Sequence, residues 1–215
     1  MKNLNIKLFV WMLLTISLIL LVIIAYFKGV VEVNLWNLIK ILPTVVTIDM
    51  ILVALFVKWG WRCKWLRGWL IPFPDLNGTW QGTIQTNWSS PENGERPSLI
   101  PVILTIKQSF TRISCLMRTG EMVSYSISED FQLDKDRQIK QLAYIYTSKP
   151  KLSVDHRSSP HDGAIIFDII GNPVNRLKGQ YWTTRKTTGE ITLMFREKRL
   201  LDEIPVALGN HPLSK

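Results

Sequence analysis

The chain has 215 residues, a formal net charge of +9, 47% hydrophobic residues and only two cysteines. That length accommodates a membrane segment plus one ordinary soluble domain, and two cysteines exclude a disulfide-stapled scaffold. The basic surplus sits mostly in the first third, where Lys2, Lys7, Lys28, Lys40, Lys58, Arg62, Lys64 and Arg67 oppose only Glu32 and Asp49. It therefore points to a membrane surface, with no DNA or RNA partner expected.

Residues 8–27 form an uncharged apolar run between Lys7 and Lys28. As a helix the run spans about 30 Å, the thickness of a bilayer's hydrocarbon core. It is too long for a signal-peptide core and no small-residue cleavage site follows, so an uncleaved anchor is expected. A second apolar run, 41–57, lies between Lys40 and Lys58. Lys2 and Lys7 precede the first run, and Lys58, Arg62, Lys64 and Arg67 follow the second. The positive-inside bias then predicts a two-pass hairpin with both termini cytoplasmic.

Pro43 falls in the first turn of the second run, where its missing N–H breaks no helical bond. Asp49 falls at mid-bilayer, where a carboxylate is costly. Two readings of Asp49 stand. One is an inter-subunit contact or polar lining that forms on assembly. The other is a protonated Asp bonded to Thr15, Ser17, Thr44 or Thr47 within the hairpin.

The stretch 59–74 interleaves Trp59, Trp61, Trp65 and Trp69 with Arg62, Lys64 and Arg67. Indole rings prefer the headgroup level and cations there meet anionic lipid, so this is an interfacial collar with membrane lipids as partner.

Beyond Pro72-Phe73-Pro74 the pattern turns to short alternating segments. Eight strands are predicted, at 79–88, 99–109, 111–118, 122–132, 138–148, 164–170, 177–186 and 190–198. Tight connections favour an antiparallel meander, and barrel closure removes its exposed edges. The expected organisation is a transmembrane hairpin (1–58), a juxtamembrane linker (59–74), a cytosolic β-barrel (75–200) and a C-terminal tail (201–215).

An eight-stranded barrel is either filled by side chains or holds one small ligand. Alternation puts Gly179, Tyr181, Thr183 and Arg185 on one face of the seventh strand, opposite Gln180, Trp182, Thr184 and Lys186. The fifth strand aligns Leu142, Tyr144 and Tyr146, and the fourth aligns Val123, Tyr125 and Ile127. Tyrosines offer stacking, threonines hydroxyl bonds and arginine a bidentate fork for phosphate, a set that suits a nucleotide better than a fatty acid. Two orientations remain open: these residues line the interior, or they face solvent while the Gly, Ile and Leu set turns inward.

No catalytic constellation is found, and the chain is not expected to be an enzyme. Walker, G-x-S-x-G and H-E-x-x-H motifs are missing. His156 and His161 lie with Asp155 and Asp162 in what reads as a flexible connection lacking further fixed ligands, so no metal or cofactor is expected.

The two spans, the collar, Pro72-Phe73-Pro74-Asp75-Leu76-Asn77-Gly78-Thr79-Trp80-Gln81-Gly82 and Leu177-Lys178-Gly179-Gln180-Tyr181-Trp182-Thr183-Thr184-Arg185 together resemble one family. It is the two-transmembrane, β-strand-rich effector family of bacterial cyclic-oligonucleotide anti-phage systems (CBASS). The resemblance implies that an infection-activated nucleotidyltransferase (a CD-NTase) makes a cyclic dinucleotide, which the barrel binds as its activating ligand. It further implies homo-oligomerisation in the bacterial inner membrane, membrane disruption and abortive-infection cell death. Tyr181, Thr183 and Arg185, with Tyr125, Tyr144, Tyr146 and Trp80, are the expected ligand residues. Gly78-Thr79-Trp80 also resembles the G-x-W that opens lipocalin-like barrels, in which the Trp closes the floor. The rival readings are a membrane-tethered lipocalin-like carrier of a lipid or other apolar molecule, and an enzyme at the membrane face.

Overall fold

The computed structural model describes residues 5–30, 34–90, 94–209, 211 and 212. The chain divides into two compact units, Lys2–Phe73 and Pro74–Lys215.

The first unit is a helical hairpin. Helix α1 spans Ile6–Phe27, and its N-cap Asn5 accepts the Leu8 N–H at 3.1 Å. Helix α2 spans Leu35–Lys58, with Asn34 accepting the Asn37 N–H at 2.9 Å. Both are long and apolar enough to cross a bilayer. Leu14, Leu18, Val22, Met50 and Leu55 are exposed, whereas the core helix of a soluble protein would bury one such face. The early start of α2 corrects the expectation for Pro43, which lies inside the helix and not in its first turn. The Asn34 cap starts the helix ahead of the apolar run, so Pro43 removes one backbone bond.

The helices meet at Phe9 and Phe56, whose ring centroids are 5.6 Å apart, and at a polar contact. Ser17 donates to Asp49 Oδ2 at 2.6 Å, while Asp49 Oδ1 is buried and has no partner among the described residues. After α2 come two 3₁₀ turns, Gly60–Arg62 and Lys64–Leu66. Trp61 is buried beside Phe73, but Trp59, Trp65 and Trp69 are exposed.

The second unit is a closed antiparallel barrel of eight strands in sequence order. They are β1 (Gly78–Thr86), β2 (Ile100–Gln108), β3 (Ile113–Thr119), β4 (Met122–Asp134), β5 (Ile139–Pro150), β6 (His161–Gly171), β7 (Val174–Thr183) and β8 (Thr188–Glu197). Pairing of β1 with β8, in which Gly82 faces Leu193, closes the ring. Two strand ends matter for function. β6 begins at His161, so His161 and Asp162 belong to a strand and not to the expected flexible loop. β7 stops at Thr183, short of the expected 186, because Thr183 N–H donates to Thr187 O at 3.0 Å and closes a turn. Lys186 takes the left-handed position of that turn, with φ of 61°.

One end of the barrel is filled. Trp80 is buried there, its Nε1 donates to Leu76 O at 3.0 Å, and its ring meets Phe195 edge-on at 5.2 Å. Gln108 accepts Leu76 N–H at 2.8 Å and donates to Pro74 O at 3.0 Å, while Asn77 Oδ1 accepts Gln108 N–H at 2.7 Å. These bonds pin the incoming chain beneath the barrel. Trp80 is thus a floor residue, as in the lipocalin-like reading.

The C-terminal segment after β8 runs along the outside. Thr79 donates its hydroxyl to Arg199 O at 2.6 Å and accepts Leu201 N–H at 3.0 Å, while Arg118 donates to Leu201 O at 3.4 Å. Thr79 pairs with Thr105, and Arg118 pairs with Ile103, so Leu201 lies across β2. Val102, Leu104 and Ile106 belong to the interior cluster, which leaves Ile103 and Thr105 pointing outward. Both are nevertheless buried.

Candidate ligand cavity

The other end of the barrel is open. A cavity with about 770 Å³ of empty space, its mouth included, lies among the C-terminal ends of β1, β3, β5 and β7 and the N-terminal ends of the strands that follow them. Its wall includes Tyr181, Thr183, Arg185 and Tyr146. The inward face of β7 is therefore Gly179, Tyr181 and Thr183, with Gln180, Trp182 and Thr184 outside. Arg185 reaches the cavity from the β7–β8 turn.

The Arg185 guanidinium is fastened to the β5–β6 loop. Its Nη1 donates to Ser158 Oγ and Ser159 O, each at 3.2 Å, and its Nη2 lies 3.5 Å from His161 Nε2. Its Nε is buried and has no partner among the described residues. Burial lowers the pKa of the group below its ordinary value, the mark of a cation incompletely compensated. Such a site favours an anion that accepts two N–H donors in one plane.

Around it stand neutral aromatics. Burial raises the pKa of both Tyr146 and Tyr181, and Tyr181 donates its hydroxyl to Thr86 at 2.6 Å. Thr183 and Thr187 share a hydroxyl bond of 2.7 Å. Burial, followed by the charge of Arg185, lowers the His161 pKa.

Three expected ligand residues lie elsewhere. Tyr125 is exposed on the outer wall, with the Lys149 ammonium 5.7 Å from its ring centre. Tyr144 is fully buried between Tyr146 and Phe167 in the packed core, its pKa raised by burial, and its hydroxyl has no partner among the described residues. Trp80 is in the floor. On β4 the face expected to meet ligand is the outer one. Ser124 lines the cavity, so the polar set of that strand points in and Val123, Tyr125 and Ile127 point out.

Other wall residues escaped the sequence reading: Trp88, Ser148, Ser158, His161, Glu121 and His211. Trp88 and Ser148 lie at ends of expected strands, where alternation gives a weak signal. Glu121 pairs with Arg157 and with His211, whose Nδ1 lies 3.1 Å from its Oε1, and all three side chains are nearly buried. Nothing in residue spacing joins positions so far apart.

Comparison with known proteins supplies the family. The model of the family described as Cap15, cyclic dinucleotide receptor domain, matches residues 71–194. The chain belongs to this family. The match to the Cap15 domain takes in all the barrel strands except the end of β8. A curated relative, CD-NTase-associated protein 15 of Staphylococcus schleiferi, is 28% identical over 166 residues, covering 76% of this chain and 85% of the relative. Together with the two apolar helices, this Cap15 membership fits a membrane effector of CBASS.

Proposed function

We propose that this chain is a two-pass protein of the bacterial inner membrane, with cytoplasmic termini, that receives a cyclic dinucleotide made by a CD-NTase. The single observation carrying the reading is the open cavity that gathers Tyr146, Tyr181 and Arg185, whose Nε is buried without a partner among the described residues. A phosphate takes the guanidinium, and nucleobases pack on the tyrosines and on Trp88. Binding promotes homo-oligomerisation in the membrane, disruption of the bilayer and abortive death of the infected cell. A ligand drives such an assembly only to the extent that it binds the assembled state more tightly than the resting one. Tethering in a plane raises the effective concentration of the barrels and lowers the affinity difference required.

The test is calorimetric titration of the full-length protein in nanodiscs with a panel of 3′,3′-linked cyclic dinucleotides. One member is expected to bind at micromolar or tighter affinity. Arg185→Ala is expected to weaken it by about 10- to 100-fold, the worth of a charge-assisted pair, and Arg185→Lys to restore little because a point charge lacks the planar fork. Absence of binding across the panel, or normal binding by Arg185→Ala, overturns the reading.

A further inference from the structure

The cavity wall is not built by the barrel strands alone. Its mouth is flanked by the β3–β4 turn with Glu121, the β5–β6 loop with Ser158, the β7–β8 turn with Arg185, and His211 from the C-terminal segment. The described residues 199–209 and His211 form a strap. It leaves β8 at the floor end, passes over β2 at Leu201, and delivers His211 to the open end. The strap lies wholly beyond the residues matched by the family model.

We infer that the strap completes the ligand cavity: His211, clamped by Glu121 and Arg157, is a binding-site wall that the barrel strands do not themselves supply. The inference rests on the ligand reading above and names a further residue of that same site.

Three features carry it. His211 is buried although it lies outside every strand of the barrel. The buried Glu121 carboxylate receives both His211 Nδ1 and Arg157, which fixes the imidazole plane against the cavity. Gly120 makes the seat, because a Cβ there would lie 2.8 Å from the His211 Cβ.

The seat is also wired to the candidate phosphate group. Arg185 is bonded to Ser158 and Ser159, the residues next to Arg157, and Arg157 holds Glu121. A ligand that draws Arg185 away from Ser158 and Ser159 therefore acts on the loop that clamps the strap. His211 offers a nucleobase a ring of fixed orientation, and ligand passes the clasp on its way in and out.

The experiment uses full-length protein in nanodiscs and the panel member that the wild type binds. His211→Ala removes the wall, and Gly120→Ala displaces the strap without altering any polar group. Both are expected to weaken binding at least about tenfold, mainly through faster dissociation, with the thermal midpoint of ligand-free protein little changed. Tyr125→Ala, on the outer wall, is expected to bind as wild type. Unaltered affinity and dissociation rate in His211→Ala and Gly120→Ala overturn the inference while the receptor reading stands. An equal loss in Tyr125→Ala marks a general loosening and overturns it too. A wild type that binds no panel member removes the receptor reading, and the inference falls with it.

Discussion

Tyr181 stands directly across the β7–β8 ladder from Gly189, where a Cβ would lie 2.5 Å from the tyrosine ring. The same relationship recurs between Tyr146 and Gly163 on β5 and β6, with a Cβ 2.5 Å from the hydroxyl. Each cavity tyrosine lies over a neighbouring glycine, and the missing side chain gives the ring its place on the wall. Such ring-over-glycine pairs also fix strand register.

Gly189→Ala is therefore expected to push the Tyr181 ring into the cavity and break its bond to Thr86. A Cβ there also meets Gln85 O at 2.2 Å, so the β1–β8 ladder must shift. The expected outcome is a loss of stability of about 1–3 kcal/mol, as for other overpacked sites, together with weakened cyclic-dinucleotide binding. Chemical denaturation and calorimetry of the same sample check both.

Tyr144 separates a core role from a ligand role. Its hydroxyl is buried with no partner among the described residues, so Tyr144→Phe relieves a desolvated group at little packing cost. We expect unchanged or slightly increased stability and unchanged ligand affinity. Tyr146→Ala, by contrast, is expected to weaken binding. A binding defect in Tyr144→Phe would place the ligand deeper than the open cavity.

Asp49 has one oxygen bonded to Ser17 and the other buried without a partner among the described residues. The Ser17 bond is one of those expected within the hairpin. Asp49→Leu removes a group that is costly in the bilayer and is expected to leave insertion and ligand binding intact. Ligand-triggered dye release from proteoliposomes is expected to fall. Undiminished release would confine Asp49 to the hairpin.

Acid is expected to weaken the barrel through His161. Burial, aided by Arg185, holds its folded pKa below the usual 6.5. Between that lowered value and 6.5 the unfolded chain carries a proton that the folded barrel does not, so stability rises with pH. The contribution is complete above 6.5 and is lost as the pH falls through 6.5 toward the lowered value. Thermal midpoints measured from pH 8 to pH 5 should decline over that window, and His161→Asn should lessen the decline, leaving the part due to His211, whose pKa burial also lowers.

The sequence by itself determined the broad layout of this protein. Apolar runs of the length that a bilayer-crossing helix needs mark α1 and α2, and alternation with turn residues marks eight strands that an antiparallel ring can close. The Tyr181–Thr183–Arg185 set was legible because a buried strand seldom repeats polar residues at period two. Period two, however, says only that two faces differ. Which of them points inward depends on whether the interior at that height is packed or empty. Toward the floor, inward means Leu, Phe and Trp80; at the open end it means Ser124, Thr183 and Arg185. Tyr125 lies on the outer wall for that reason, and Tyr144 lies just beneath the cavity, against Phe167. Only the tertiary structure could bring His211 to Glu121 and Arg157, because a contact closed by a strap crossing the barrel wall leaves no periodicity in the chain.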